Sequence, residues 1–232
     1  MNKKLVFLFD VDNTLLDNDR VTADLKQHLE REIGHERQER YWSIFEELRA
    51  ELGYADYLGA LQRYRVVFPR DPHVLNVSEF VLHYPFADRL FPKSLEVVKY
   101  VKQFGTPVIL TDGDVVFQPH KIHDSGLYEV FAGGVLIYIH KEVELEDVEL
   151  RYPADHYVLV DDKLRILTEI KKIWNQRVTT IFVRQGHYAL DEKVVSSYPS
   201  ADITIERIAD MLQLPFSDFG HYQNRNPIAE VT

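Results

Sequence analysis

Short, continuous runs of apolar residues are the feature of this chain that most constrains its fold. Such runs predict strands at residues 4–9, 107–111, 134–139, 156–160, 178–183 and 201–205. Runs that do not alternate with polar residues are typical of strands buried on both faces of a parallel sheet. From residue 94 onward, helical patterns lie between them, including 94–105, which is expected to end at Gly105, and 163–176. The alternation predicts an α/β fold with a doubly wound, parallel-sheet, Rossmann-like core.

A block without strand alternation interrupts this pattern after the first strand. In residues 20–86, apolar residues recur at helical spacing, as in Val21, Leu25 and Leu29, and only residues 65–68 form a strand-like run. The pattern predicts about four helices in an all-helical insertion. We therefore expect a core of residues 1–19 and 87–215. A C-terminal tail of residues 216–232 has little periodic pattern, and partial disorder is one expectation for it.

Composition excludes several classes of function. The 37 acidic residues outnumber the 27 Lys and Arg residues, giving a formal charge of -10, and no basic cluster suggests a nucleic-acid partner. There is no cysteine, so thiolate metal sites, disulfides and a cysteine nucleophile are excluded. No stretch approaches the ~20 apolar residues needed to span a bilayer. We expect a soluble, cytoplasmic protein without a membrane partner, while the oligomeric state stays open.

Polar residues follow the predicted strands at the edge where an open α/β sheet binds ligands. They are Asp10 and Asp12; Thr111, Asp112 and Asp114; His140 and Lys141; Asp161 and Asp162. A carboxylate can attack a phosphoryl group in line, and a second carboxyl beside it can serve the leaving group and the attacking water. Asp10 is therefore the candidate nucleophile and Asp12 the candidate general acid and base. Several acids beside a phosphate need positive charge, for which Mg²⁺ is the usual ion.

These segments resemble the motifs of the haloacid dehalogenase-like superfamily of phosphohydrolases. The first motif is matched by FDVDNTLLD, the second by ILTDGD, the third by Lys141 and the fourth by VLVDD; the segment QPHKIHDSGLYEVF is also similar. The resemblance implies that residues 20–86 are a helical cap domain. It also implies that Mg²⁺ is held by the Asp10 side chain, the Asp12 carbonyl and an acid of the Asp161–Asp162 pair.

The resemblance further implies that Lys141 neutralises the nucleophile and the phosphoryl oxygens, while Thr111 and neighbouring backbone amides bind the phosphoryl group. Asp112 stands where the family often has Asn, so its place in the substrate site departs from the usual pattern. Lys121 is the alternative third-motif lysine, and the direct metal ligand is either Asp161 or Asp162. By contrast, Asp17 and Asp19 are expected to cap a helix or to be solvated.

These features together predict a Mg²⁺-dependent phosphatase acting on a small phosphorylated metabolite through an aspartyl-phosphate. A phosphomutase shares every catalytic residue, and a non-catalytic binding protein would share the fold. A signalling receiver is disfavoured because it lacks a helical insertion. Relatives that cleave carbon–halogen bonds lack the second acid of the first motif, so Asp12 favours phosphoryl transfer.

Overall fold

A six-stranded, wholly parallel sheet organises the computed structural model, which describes residues 4–216 and 219. The strands are β1 (Leu5–Phe9), β2 (Gly105–Asp112), β3 (Val135–Tyr138), β4 (His156–Asp161), β5 (Val178–Val183) and β6 (Ile203–Ile205). Their order is β3-β2-β1-β4-β5-β6, which reverses direction at β1. The α/β Rossmann-like prediction is confirmed, and the reversal places the end of β1 where such sheets bind ligands.

The central strand is buried throughout, because it has neighbours on both edges and apolar layers on both faces. All five residues of β1 are buried, with β2 on one side and β4 on the other. The predicted helix end at Gly105 is wrong, since that glycine begins β2 opposite Leu5. A Cβ at Gly105 would lie 2.4 Å from the Leu5 carbonyl oxygen, so the glycine allows the strands to approach.

Helices cover the sheet and fill the segment between β1 and β2. The helices are α1 (Asn18–Ile33), α2 (His35–Leu52), α3 (Tyr57–Val67), α4 (Val74–Leu82), α5 (Ser94–Val101), α6 (Phe117–Asp124), α7 (Leu127–Val130), α8 (Leu145–Arg151), α9 (Leu164–Trp174), α10 (Gly186–Leu190) and α11 (Glu192–Val195). Helices α1 to α4 form what we call the helical insertion, Asn18–Leu82. In the described part of the chain, no helix is long and apolar enough to cross a bilayer.

Local differences from the sequence predictions have identifiable causes. The strand-like run at residues 65–68 belongs mainly to α3, because Tyr64 anchors that helix in the core. After β6, the chain forms a 3-10 helix over Ile208–Gln213. Most of the predicted tail lies outside the described residues, but Phe216 is buried and packs against Phe7 of β1, with ring centroids 5.1 Å apart.

A buried carboxylate ties three helices of the insertion together. The Asp71 side chain is fully buried and accepts hydrogen bonds from Arg37 of α2 at 2.8 Å and the Tyr64 hydroxyl of α3 at 2.5 Å. It also accepts from the backbone and ring of His73, beside α4, at 2.9 Å. Burial alone would raise the pKa of Asp71, but these donors and the Arg37 charge lower it to about 2.

We expect Asp71→Asn to destabilise the protein by about 1–3 kcal/mol at pH 7, because the neutral amide cannot accept all these bonds. The folded-state pKa of Asp71 lies below the ordinary 3.8, so its ionisation stabilises the fold above about pH 4. That contribution is lost as the pH falls towards 2, and the variant should then approach wild type. Urea unfolding between pH 7 and pH 3 measures this. Asp88→Asn, at an exposed carboxylate, is the control; a pH-independent deficit would contradict the assignment.

Candidate active site

A buried lysine joins two of the aspartates that the strand ends bring together. Lys141 Nζ lies 2.5 Å from Asp10 Oδ1, just beyond β1, and 2.7 Å from Asp161 Oδ2, at the end of β4. It also donates to the Leu110 carbonyl of β2 at 3.2 Å. Lys141, Asp10 and Asp161 are at most 3 % exposed. The sequence-predicted nucleophile and lysine are thus in direct contact, 131 positions apart in the chain.

Carboxylate oxygens without a partner mark the place where a cation would fit. Asp10 Oδ2 and both side-chain oxygens of Asp162 are buried and accept no hydrogen bond from the described residues. Ligand atoms of Asp10, Asp161 and Asp162 lie within 4.8 Å of one another. Buried unpaired carboxylate oxygens are costly unless an ion satisfies them, and oxygen donors of this kind suit Mg²⁺. The residues present therefore fit the expected ion.

The hydrogen-bond partners of Asp161 and Asp162 indicate which of the two is the better candidate for the direct metal ligand. Asp161 Oδ1 accepts the backbone N–H of Lys163 at 2.8 Å, and Asp161 Oδ2 faces Lys141. Neither side-chain oxygen of Asp162 has a hydrogen-bond partner in the described part of the chain. This arrangement favours Asp162 as the direct metal ligand and Asp161 as the residue that orients Lys141.

Negative charge is in excess in this buried cluster. Burial raises the pKa of Asp162 well above its ordinary value, and Lys163 lowers it only in part. Burial likewise raises the pKa of Asp161, and that of Asp112 to about 6, against the effect of Lys141. Burial would lower the pKa of Lys141, but the charges of Asp10 and Asp161 outweigh it and raise the pKa. Lys141 therefore stays protonated.

Lys121, the alternative third-motif lysine, also lies at the site, where it contacts Asp12 and not Asp10. Lys121 of α6 is buried and donates to Asp12 Oδ1 at 2.6 Å and to Asn18 Oδ1 at 3.0 Å. The Asp12 side chain itself is 26 % exposed, whereas Asp10 is buried. Each of the two lysines weighed from the sequence thus pairs with a different aspartate of the first motif.

The second-motif residues are held by partners that sequence reasoning did not anticipate. Gln118 of α6 donates to the Thr111 hydroxyl at 3.1 Å. Asp112 Oδ1 accepts the backbone N–H of Lys141 at 2.7 Å, which positions the lysine's loop. Asp114 accepts the backbone N–H groups of Val116 and Phe117, and it thereby fixes the start of α6.

Asp17 and Asp19, the other two aspartates that follow β1, have different hydrogen-bond partners. Asp17 caps α1 by accepting the backbone N–H of Arg20, as expected. Asp19 is not merely solvated, because it accepts from the backbone of His187 at 2.8 Å and contacts that ring at 2.6 Å. It therefore joins α1 to α10, which follows β5.

A cavity of about 890 Å³ lies between the helical insertion and the sheet edge. Asp12, Asp112 and Lys163 line it on the sheet side. Its other walls include Trp42, Phe45 and Arg49 of α2, Tyr57 of α3, and His187 and Tyr188 of α10. Asp10, Thr111, Lys141, Asp161 and Asp162 lie deeper and are nearly inaccessible.

Several wall residues were missed from the sequence. The one local signal was for Lys163, which directly follows the VLVDD segment. Gln118, Arg49 and Tyr188 lie within helices whose apolar periodicity says nothing about which polar side chain faces a cavity.

Comparison with known proteins assigns the family. Residues 5–150 match the haloacid dehalogenase-like hydrolase family. The chain belongs to this family of hydrolases. A haloacid dehalogenase-like hydrolase from Burkholderia xenovorans is 58 % identical, with 91 % of this chain and 99 % of that one aligned and a TM-score of 0.87. No functionally curated protein matches the chain.

More distant solved structures of this family share the fold. The L-2-haloacid dehalogenase of Xanthobacter autotrophicus, with chloropropionic acid covalently bound, is 16 % identical over 92 % of this chain and 98 % of its own, with a TM-score of 0.59. A magnesium-bound family hydrolase from Bacillus subtilis, whose structure reveals interdomain movement, is 14 % identical over the same shares, with a TM-score of 0.61. At sequence identities this low, the similarity shows a shared fold and does not extend to function.

Proposed function

We propose that this hydrolase is a Mg²⁺-dependent phosphatase for small phosphate monoesters. One observation carries the proposal: the Asp10 carboxylate is held by Lys141 on one oxygen, and its other oxygen is unpartnered, as are both oxygens of Asp162. Asp12 lies two residues further on, at the cavity wall, where a leaving group would be. A nucleophile, a cation site and a second carboxyl are what phosphoryl transfer through an aspartate requires.

In the first step, an oxygen of Asp10 attacks phosphorus in line and the ester bond to the leaving oxygen breaks. Asp12 donates a proton to that leaving oxygen, which departs as an alcohol. Lys141 Nζ, already in contact with Asp10, offsets charge on the transferring phosphoryl oxygens. The Thr111 hydroxyl, held by Gln118, is a further donor for these oxygens.

In the second step, Asp12 takes a proton from water, and the oxygen of that water attacks the phosphorus of the aspartyl-phosphate. The Asp10–phosphorus bond breaks, which restores the Asp10 carboxylate and releases inorganic phosphate. Lys121 donates to Asp12 Oδ1, and Asn18 accepts from the same ammonium group, so that Asp12 is held in one orientation for both steps.

The residues that would hold Mg²⁺ are Asp10, Asp162 and the Asp12 carbonyl, with Asp161 beside them. The ion would supply positive charge against the phosphate and the surrounding carboxylates. We also propose that the helical insertion, residues 20–86 in the predicted domain division, acts as a cap. Asp10 is only 3 % exposed, and a movement of the insertion relative to the sheet edge would widen the cavity for substrate entry.

Phosphate release from p-nitrophenyl phosphate tests this function against its alternatives. We expect Mg²⁺-dependent release that EDTA abolishes, and no chloride release from 2-chloropropionate. Asp162→Asn should lower the affinity for Mg²⁺ by about 100-fold or more, because it removes the charge of a direct ligand, and even changes to groups that only support a ligand cost about 10–100-fold. Isothermal calorimetry measures this without turnover. Chloride release would indicate a dehalogenase, and an isomerised sugar phosphate without free phosphate would indicate a phosphomutase.

A further inference from the structure

One ammonium group faces the cavity without an acceptor. Lys163 directly follows Asp162, precedes α9 and lines the cavity wall. Among residues 4–216 and 219, Lys163 Nζ has no hydrogen bond or ion pair, and it lies 5.4 Å from the centroid of the Tyr188 ring. Burial would lower the pKa of Lys163, but the charges of Asp162, Asp10 and Asp161 raise it. A charged amine beside an aromatic face keeps its charge and its three N–H donors. Lys163 is thus a positioned cation with unused donors.

The acids of the cavity wall differ from Lys163 because each has a described donor or cation beside it. The pairs are Asp12 with Lys121, Asp19 with His187, Glu46 with Arg49, and Asp112 with the backbone N–H of Lys141. Arg165 is likewise paired, with Glu142 at 2.6 Å. Besides Lys163, only Lys26 among the wall's described Lys and Arg residues has no such partner. Each acid of the wall thus has its donor, whereas the N–H donors of Lys163 are unused among the described residues.

The Tyr188 ring fixes the place of this charge. Arg49 of α2 contacts the Tyr188 hydroxyl, and the Arg49 Cζ atom lies 5.9 Å from the ring centroid. Tyr188 is therefore close to a cation of the helical insertion and to a cation of the sheet edge. This arrangement holds Lys163 Nζ in position with little loss of further side-chain entropy on binding.

Lys163 is not needed by the transferring phosphoryl group, for which Lys141 is already in place. Asp10 follows β1, whereas Tyr188 follows β5, two strands away in the sheet order. Neighbouring strands are ~4.8 Å apart, so the axes of β1 and β5 are separated by about 10 Å. Lys163 follows β4, which lies between them, and extends from there to the Tyr188 ring. The Lys163 ammonium is directed towards Tyr188 and thus to the side of the phosphoryl position, where another part of the substrate would lie.

We propose that the physiological substrate is a phosphate monoester carrying a second anionic group, a carboxylate or another phosphate, and that Lys163 binds this group. The proposal rests on the phosphatase function above and specifies its substrate class. The aromatic wall of Trp42, Phe45 and Tyr57 accommodates an apolar or ring-shaped portion between the two anions. Lys163 is a specificity residue here.

A matched pair of substrates tests the proposal. 4-Carboxyphenyl phosphate and 4-carbamoylphenyl phosphate differ only in whether the distal group is charged, and 1,4-phenylene bisphosphate replaces the carboxylate by phosphate. We expect wild type to prefer at least one of the two anionic esters over the amide by about tenfold or more in kcat/KM, as for one charge-assisted hydrogen bond. The preference should appear as a lower KM for the anionic ester, with kcat nearly unchanged. Lys163→Met should remove it, while Lys163→Arg should retain most of it.

Controls and a binding measurement separate this inference from the proposed function. Lys172→Met, at an exposed lysine of α9, should keep the preference. Calorimetry with 4-carboxybenzylphosphonate, its carbamoyl analogue and the corresponding bisphosphonate measures the same preference without turnover, and thermal melting checks that each variant is folded. If wild type hydrolyses none of the esters, the phosphatase function fails, and the phosphonates still test Lys163. Equal affinities in wild type, or an equal loss for all ligands in Lys163→Met, would overturn the inference.

Discussion

Asp10→Asn is expected to lower phosphate release by at least about 10³-fold, the scale seen when a nucleophile is removed, without lowering the melting temperature. The amide cannot form the aspartyl-phosphate. Stability should be kept, because Asp10 is one of four acids in a cluster that also contains Asp112, Asp161 and Asp162 and has excess negative charge. Removing one of these charges leaves Lys141 paired with Asp161 at 2.7 Å. Steady-state hydrolysis of p-nitrophenyl phosphate and calorimetric melting in EDTA measure the two effects.

Asp17→Asn is the matched control for this substitution. It makes the same chemical change seven positions later, at a residue that caps α1 and can do so equally well as Asn. Its activity should equal that of wild type. Residual activity of Asp10→Asn within tenfold of wild type would show that another group is the nucleophile. A marked decrease in the melting temperature of Asp10→Asn would contradict the conclusion that the buried cluster carries excess negative charge.

Lys141→Met should destabilise the protein, unlike Asp10→Asn, although both substitutions break the same ion pair. Without the ammonium, Asp10 and Asp161 are buried with no cation in contact. Breaking a buried pair in this way costs about 3–5 kcal/mol, or roughly 10 °C in melting temperature for a chain of this size. Activity should also be lost, because nothing then offsets the charge of the phosphoryl oxygens.

Two further variants make the Lys141 prediction specific. Lys172→Met removes an exposed lysine that pairs with Glu169 at 2.6 Å, and we expect little change in stability. The double variant Asp10→Asn, Lys141→Met should recover part of the stability lost in Lys141→Met, because one uncompensated carboxylate is gone. If Lys141→Met melts like Lys172→Met, the buried ammonium does not hold the cluster together.

The core of the fold could be predicted because buried parallel strands are recognisable from short continuous apolar runs. The run over residues 4–9 became β1, whose residues Leu5 to Phe9 are all buried. The ends of helices and strands are harder to predict from sequence. Gly105 permits the close approach of two strands, but in the sequence it resembles the glycine that often ends a helix. Helix α8, Leu145–Arg151, was not predicted because its seven residues are too few for a clear helical period.

By itself, the sequence determined the order of the six strands along the chain and which acids follow them at one sheet edge. These follow from local patterns and from the rule that parallel strands end at the same side. Only the tertiary structure decided that Lys141 contacts Asp10 while Lys121 contacts Asp12, and that Asp162 keeps two unpartnered oxygens. It also revealed the unpaired Lys163 beside Tyr188. Such contacts join residues far apart in the chain, and side-chain direction across a cavity has no periodic signature.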